Sequence, residues 1–316
     1  MSIADFRLHG SCVALPTPFR YGAIDIRALE ALCHRQIDHG TAALVPCGTT
    51  GEAPLLTADE HHRVVAATVA AAAGRVPVVA GAGSNNTQTA VELARSAEQA
   101  GAQALLCVTP YYLKPTQAGL MAHFQAIHDA VSIPVVLYDV PSRTACPLAD
   151  VTIRRLSELP RIVGLKDATG DIARVAKLRR RLGDRFMLLS GDDASQAAFR
   201  LAGGDGCISV TANVAPALCA ALQAACDRGD SAAIRHLEGV LAPLHAALFL
   251  EANPIPVKRA LHRLGLIADG LRLPLTPLGP VADAHLSGTL QAVRRAEEEE
   301  VSRLTSGRPS ARPRAA

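Results

Sequence analysis

The sequence predicts a (β/α)8 barrel, an α/β fold of the TIM type, with a C-terminal helical extension. Three observations predict it. Eight short apolar runs alternate with helical patterns, the order in which parallel strands and their covering helices follow one another. The first run leads into Pro16–Thr17–Pro18–Phe19, which cannot form the Gly-rich loop usual after the first strand of a doubly wound sheet. After the eighth run only helical patterns remain.

The strands are expected at Cys12–Leu15, Ala43–Pro46, Pro77–Ala80, Ala104–Val108, Pro134–Tyr138, Ile162–Lys166, Phe186–Ser190 and Gly206–Val210. Continuous apolar runs of this length suit strands buried on both faces. Helices are expected between them at Asp25–His39, Ala58–Ala73, Thr87–Ala100, Gln117–Ala130, Leu148–Leu159, Asp171–Leu182 and Asp193–Ala202. Asn86 or Thr87 supplies the cap of the third helix, and Asp192–Asp193 are placed to start the seventh. Residues 1–215 then form the barrel core. Residues 216–300 form helices packed on it, near Pro216–Arg228, Ser231–Leu250, Pro256–Leu264 and Pro280–Glu299. The acidic run Glu297–Glu300 reads as a solvated helix face. Residues 301–316, with Gly307, Pro309, Pro313 and several arginines, are expected to be frayed or disordered.

Composition narrows the function. With 49% hydrophobic and 19% charged residues the chain is globular. A net charge of +3 and 3% aromatics give no basic surface or stacking platform for nucleic acid. No uninterrupted apolar run is long enough to span a membrane, and the N-terminus lacks the basic and apolar regions of a signal peptide, so a cytoplasmic protein is expected. The eight cysteines are scattered without a CxxC pair and read as buried, reduced thiols. The eleven histidines fall mostly within helical patterns, so no metal site is expected.

Chemistry in such a barrel sits where strands end. Lys166, one of only four lysines, ends the sixth strand in the run Ile162–Asp171 and shares a face with Gly164 and Ile162. Gly164 is expected to leave space beneath it. An amine in a tight, partly apolar pocket loses hydration, and its neutral form can attack a ketone to give a Schiff base. A strand-end lysine taken alone more often simply meets solvent, so the neighbouring strand ends matter. Strand two ends in Cys47–Gly48–Thr49–Thr50–Gly51–Glu52, where glycines permit close backbone approach to an anion and two hydroxyls can donate to a carboxylate or relay a proton. Strand four ends in Thr109–Pro110–Tyr111–Tyr112, whose adjacent tyrosines point different ways, one toward a pocket and one toward a neighbouring subunit. Strand five ends in Tyr138, beside Lys166 in strand order, with Arg143 just beyond a loop stiffened by Pro141. A phenol beside an amine can shuttle protons, and a guanidinium suits a carboxylate.

These stretches, with Ser190–Gly191–Asp192–Asp193 and Asn253–Pro254–Ile255–Pro256–Val257–Lys258, occur in an order and spacing that resemble the pyruvate-dependent class I aldolase superfamily, the family of the dihydrodipicolinate synthases and N-acetylneuraminate lyases. The resemblance spans about Leu15 to Leu278. It is closer to the synthase branch because of Arg143 and the Asn253–Lys258 run.

The resemblance implies a TIM barrel and a condensation of pyruvate with L-aspartate 4-semialdehyde, without cofactor or metal. Lys166 would form the Schiff base, with Tyr138, Thr49 and Tyr112 as the proton relay. Tyr112 would come from the neighbouring subunit of a homodimer or homotetramer. Thr50, Gly48 and the Ile208 carbonyl would contact pyruvate, and Arg143 the carboxylate of the semialdehyde. Family members inhibited by lysine bind it at the dimer interface, where His61, Asn85 and Tyr111 match the pattern and Ala58 and Thr89 depart from it. Asp139 departs as well, since many synthases carry Asn there, and it is expected to alter the field around Tyr138. Another pyruvate-dependent aldolase or lyase acting on a sugar acid, and a non-catalytic binding barrel, are the alternatives.

Overall fold

A computed structural model describes residues 3–306. Eight parallel strands occur at Gly10–Ala14, Ala43–Val45, Val79–Gly81, Ala104–Val108, Val135–Asp139, Ile162–Asp167, Met187–Ser190 and Gly206–Ser209. Strand one pairs with strands two and eight, and each of strands three to seven pairs with the next. A bridge between Leu44 and Val78 closes the ring. There the Leu44 amide donates to the Pro77 carbonyl at 3.0 Å and the Gly81 amide donates to the Pro46 carbonyl at 2.9 Å. The expected (β/α)8 barrel with a C-terminal helical extension is therefore what the chain forms.

The helices are α1 (Ile26–Asp38), α2 (Ala58–Ala72), α3 (Thr87–Gln99), α4 (Gln117–Ala130), α5 (Pro141–Thr144), α6 (Asp150–Leu156), α7 (Ile172–Leu182), α8 (Gln196–Leu201), α9 (Pro216–Arg228), α10 (Ser231–Ala247), α11 (Ile255–Arg263) and α12 (Pro280–Ser306). Their starts follow from the sequence. Thr57 and Glu60 form a reciprocal capping box on α2, Asn86 caps α3 through the Gln88 and Thr89 amides, and Thr116 caps α4. Among the described residues, no helix is long and apolar enough to cross a membrane.

The barrel holds two apolar layers. The outer one lies between strands and helices. The inner one fills the barrel with side chains such as Cys12, Val136, Met187 and Ile208, and includes Phe6 and Leu8 from the segment before strand one. All eight cysteines are free and seven are buried. Burial pushes the Cys12 thiol up to about 12, so it stays protonated near neutral pH.

Several elements differ from the sequence reading. A two-residue hairpin, Phe19–Arg20 with Ala23–Ile24, follows strand one, and the expected loop after Pro141 is the helical turn α5. The seventh helix of the barrel starts late, at Gln196. Asp192 serves its start by accepting from the Ser195 amide, but Asp193 turns away and accepts from the Val210 and Thr211 amides at 2.8 and 3.1 Å. The helix α9 packs on strand one, in the place of the closing helix that a barrel needs after its eighth strand.

The last helix runs through Ser306, past the point where regular structure was expected to end. Ion pairs between side chains three or four residues apart support its C-terminal half, including Arg294–Glu298 and Arg295–Glu299. The rest of the expected tail lies outside the described residues. Glu297 is not on a solvated face. It is buried and accepts from the Ala217 and Leu218 amides, both at 3.0 Å, at a helix start where Ala215 offers no capping side chain. Burial raises its carboxyl above the usual range, and the two amides pull it back.

Candidate active site

The C-terminal ends of the strands surround a cavity of about 420 Å³ lined by Gly48, Thr49, Thr50, Tyr138, Arg143, Lys166, Gly191 and Asn253, among others. Adjacent strand pairing sets its centre. Tyr138 lies opposite Lys166 in the register of strands five and six, and Nζ of Lys166 stands 4.4 Å from the centroid of the Tyr138 ring. Lys166 is 6% exposed, so its amine sits inside the barrel mouth.

Room for the lysine comes from a different glycine than the sequence suggests. A Cβ on Gly164 would lie 2.8 Å from Cβ of Met187, so that space is already filled by strand seven. A Cβ on Gly191 would lie 3.0 Å from Cε of Lys166. Gly191 is the residue that accommodates the lysine stem.

Thr50 is buried and accepts a hydrogen bond from Nδ2 of Asn253 at 3.0 Å, which leaves its own proton for an anionic ligand. Thr49 and Tyr138 line the same cavity, and among the described residues neither hydroxyl bonds to the other. Arg143 stands on α5 at the cavity wall, exposed, and no carboxylate pairs with it among the described residues. Ile208 lies deeper, on strand eight, and the wall at that point is Val210.

A smaller adjoining chamber of about 200 Å³ is lined by Tyr111 together with Thr49, Tyr138 and Arg143. Tyr112 leaves the site altogether. Its backbone takes the left-handed conformation at φ +74° and its side chain is 84% exposed. The two tyrosines do point different ways, as expected, and it is Tyr111 that faces the cavity of its own chain. Of the other interface candidates, Asn85 is partly buried on the loop after strand three. His61 is buried, with Nε2 bonded to the Gly81 carbonyl at 2.7 Å and Nδ1 without a partner among the described residues.

Asp139 does not face Tyr138. Successive strand residues alternate sides, so it points into the helix layer with Asp167, its partner in register. Both carboxylates meet Nη1 of Arg174, at 2.8 and 3.1 Å, while Nε of Arg174 reaches Asp150 at 3.0 Å. Burial raises the Asp139 carboxyl above its ordinary range and Arg174 opposes the rise. Nothing in the sequence around Arg174 marked it for this role. It reads there as one cation on an amphipathic helix.

The arrangement suits covalent chemistry on a small keto acid. It offers a buried amine, a phenol in contact with it, hydroxyls and glycines for one carboxylate, and a free guanidinium for a second. Among the described residues, no three His, Cys, Asp or Glu side chains are grouped to hold a metal ion.

Comparison with known proteins gives the family. The model of the dihydrodipicolinate synthetase family matches residues 7–293. A 4-hydroxy-tetrahydrodipicolinate synthase of Methylobacterium radiotolerans is 56% identical over 272 residues, covering 86% of this chain and 91% of that protein. One of Parvibaculum lavamentivorans is 53% identical over 283 residues, covering 90% and 97%. The crystal structure of the chloride-inhibited dihydrodipicolinate synthase from Acinetobacter baumannii, complexed with pyruvate, superposes with a TM-score of 0.89 at 45% identity, covering 91% of this chain and 99% of that one. The chain belongs to the dihydrodipicolinate synthetase family.

Proposed function

We propose that this chain is a 4-hydroxy-tetrahydrodipicolinate synthase, which condenses pyruvate with L-aspartate 4-semialdehyde through a Schiff base on Lys166. The observation that carries the reading is the Lys166 amine, buried at the barrel mouth against Tyr138, in a cavity that also holds Thr49, Thr50 and an unpaired Arg143.

The amine of Lys166 attacks the keto carbon of pyruvate, and water leaves to give the imine. The protonated imine is an electron sink, so a methyl proton is lost and an enamine forms. Its terminal carbon attacks the aldehyde carbon of the semialdehyde, whose carbonyl oxygen takes up a proton. The amino group of the semialdehyde then adds to the imine carbon and expels the Lys166 amine. This closes the ring and restores the enzyme. Tyr138, whose ring faces the Lys166 amine, carries protons at the imine in this reading. Thr50 and the Gly48 amide hold the pyruvate carboxylate, with the Ile208 carbonyl beneath, and Arg143 holds the carboxylate of the semialdehyde. No net oxidation or reduction occurs, so the cycle needs no redox cofactor.

Exposed Tyr112, held in a left-handed conformation beside exposed Leu113, supports a second copy of the chain at this edge. In a homodimer or homotetramer it completes the proton relay Tyr138–Thr49–Tyr112 of the neighbouring site, and the lysine effector pocket of the family would lie at the same junction.

Borohydride added with pyruvate should reduce the imine and mark Lys166 alone, sparing Lys114, Lys177 and Lys258, and Lys166→Ala should lose activity by several orders of magnitude. A wild-type adduct on another lysine, or none, would overturn the assignment. Turnover of aspartate semialdehyde, measured beside sialic acid and 2-keto-3-deoxygluconate, separates the synthase from a sugar-acid lyase.

A further inference from the structure

The loop Gly48–Glu52 is held from outside the barrel. Its last residue, Glu52, has a left-handed backbone at φ +54°, and its side chain is fully buried. There it meets Lys258 of α11, itself 2% exposed, whose Nζ donates to Oε1 of Glu52 at 2.5 Å and to the Thr17 carbonyl at 2.9 Å. The Thr17 hydroxyl in turn donates to the Gly51 carbonyl at 2.7 Å. The second Glu52 oxygen accepts from the Arg272 amide at 3.1 Å. The Lys258 ammonium and the Arg272 guanidinium each lie 4.3 Å from the centroid of the Phe19 ring. One turn before Lys258, Asn253 bonds to Thr50.

We infer that Lys258 is a positioning residue for the reaction. By fixing Glu52 and Thr17 it sets the loop that presents Thr49 and Thr50 to the keto acid, and the helical extension is thereby a working part of the site. The inference rests on the proposed function for what the loop binds. The loop is a run of turns closed by bonds from the Gly51 and Ala53 amides to the Gly48 carbonyl and from the Glu52 amide to the Thr49 carbonyl, all within itself. Such a loop sets its own curvature but not its placement relative to strand six. Lys258 supplies an external anchor, and its burial makes that anchor rigid. Burial lowers the affinity of the ammonium for its proton, and the Glu52 carboxylate offsets only part of that.

A pure stability role is separable from positioning. Lys258→Met leaves a buried carboxylate without its cation, held only by the Arg272 amide, so that variant by itself is ambiguous. The double variant Glu52→Gln/Lys258→Met removes both charges at similar volume. Thr17→Val deletes one hydroxyl at constant shape and leaves the ion pair intact. Positioning predicts that, in whatever variants fold, the KM for pyruvate rises at least fivefold in Thr17→Val and at least tenfold in the double variant. The KM for the semialdehyde, whose contact is Arg143 across the cavity, stays within twofold. Rates of borohydride trapping at sub-saturating pyruvate should fall in parallel. Wild-type pyruvate KM and trapping in Thr17→Val overturn the inference, as does full recovery of both in a folded double variant. Failure of the wild-type protein to trap pyruvate at Lys166 would instead remove the proposed function itself.

Discussion

Replacing Arg174 by methionine is the perturbation whose size the structure states most directly. The guanidinium is 10% exposed and contacts three carboxylates, those of Asp139, Asp150 and Asp167. Methionine keeps the stem and removes the charge. Asp139, fully buried, would retain only the Leu148 amide at 3.2 Å, while Asp167 would keep the amide and hydroxyl of Thr169. Asp150 would keep Lys177. Removing one partner of a buried pair typically costs about 3–5 kcal/mol, and the bonds that survive place this case near the lower end, about 3 kcal/mol. For a chain of this size that is a fall in Tm of roughly 6 °C at fixed protein concentration, followed by calorimetry.

The pH dependence has a definite sign. The Asp139 carboxyl already lies above its ordinary range because of burial, and losing Arg174 raises it further. A carboxyl that titrates higher in the folded than in the unfolded chain destabilises fully above its folded value. That penalty is relieved as pH falls through the folded value toward the ordinary one, about 4. The deficit of Arg174→Met relative to wild type should therefore shrink as pH is lowered through this window, and Asp139→Asn on the Arg174→Met background should recover part of it at neutral pH. An unchanged Tm, or a deficit that widens on acidification, would refute the reasoning.

Other expectations concern the site. Arg143→Leu should raise the KM for aspartate semialdehyde far more than that for pyruvate, by the loss of about 2–3 kcal/mol of charge-assisted bonding, and equal effects in steady-state kinetics would make Arg143 structural. Tyr112→Phe should reduce turnover with the circular dichroism spectrum unchanged. Mixing Tyr112→Phe with Lys166→Ala subunits should restore some activity, and no recovery after demonstrated subunit exchange would exclude a role across the interface. Millimolar lysine should inhibit little, because Ala58 and Thr89 carry no charge for the effector and an unpaired buried ammonium costs a few kcal/mol. Strong inhibition at sub-millimolar lysine in initial-rate assays would show that those positions are dispensable.

The parts of the molecule that were legible in the sequence are those where one local cause dominates. Each barrel strand is apolar on both faces, so runs such as Val135–Asp139 and Ile162–Asp167 announce themselves within a residue or two. Lys166, Tyr138 and the Gly48–Glu52 loop were visible because strand ends carry the chemistry in this architecture. What stayed hidden depends on partners far apart in the chain. The pairs Arg174–Asp139, Lys258–Glu52 and Glu297 with the Ala217 amide bring together residues 35, 206 and 80 positions apart. No window of sequence shows which charge in a polar helix is the buried one. In the run Glu297–Glu300 the register of α12 decides it, and composition alone favours the solvated reading. Gly191 was overlooked for a similar reason, since the close approach to Lys166 comes from the neighbouring strand and not from the lysine's own.

The Glu297 cap also bears on the order in which this protein can be made. The first-turn amides of α9 follow strand eight, which pairs with strand one, and among the described residues their acceptors are both on a side chain eighty residues further along. A nascent chain that has emerged through all eight strands and α9 still carries two uncapped donors at the start of that helix, left to water. Synthesis must continue through α12 before the chain itself satisfies them. The first turn of α9 is thus completed last, by the arrival of the final helix of the described residues.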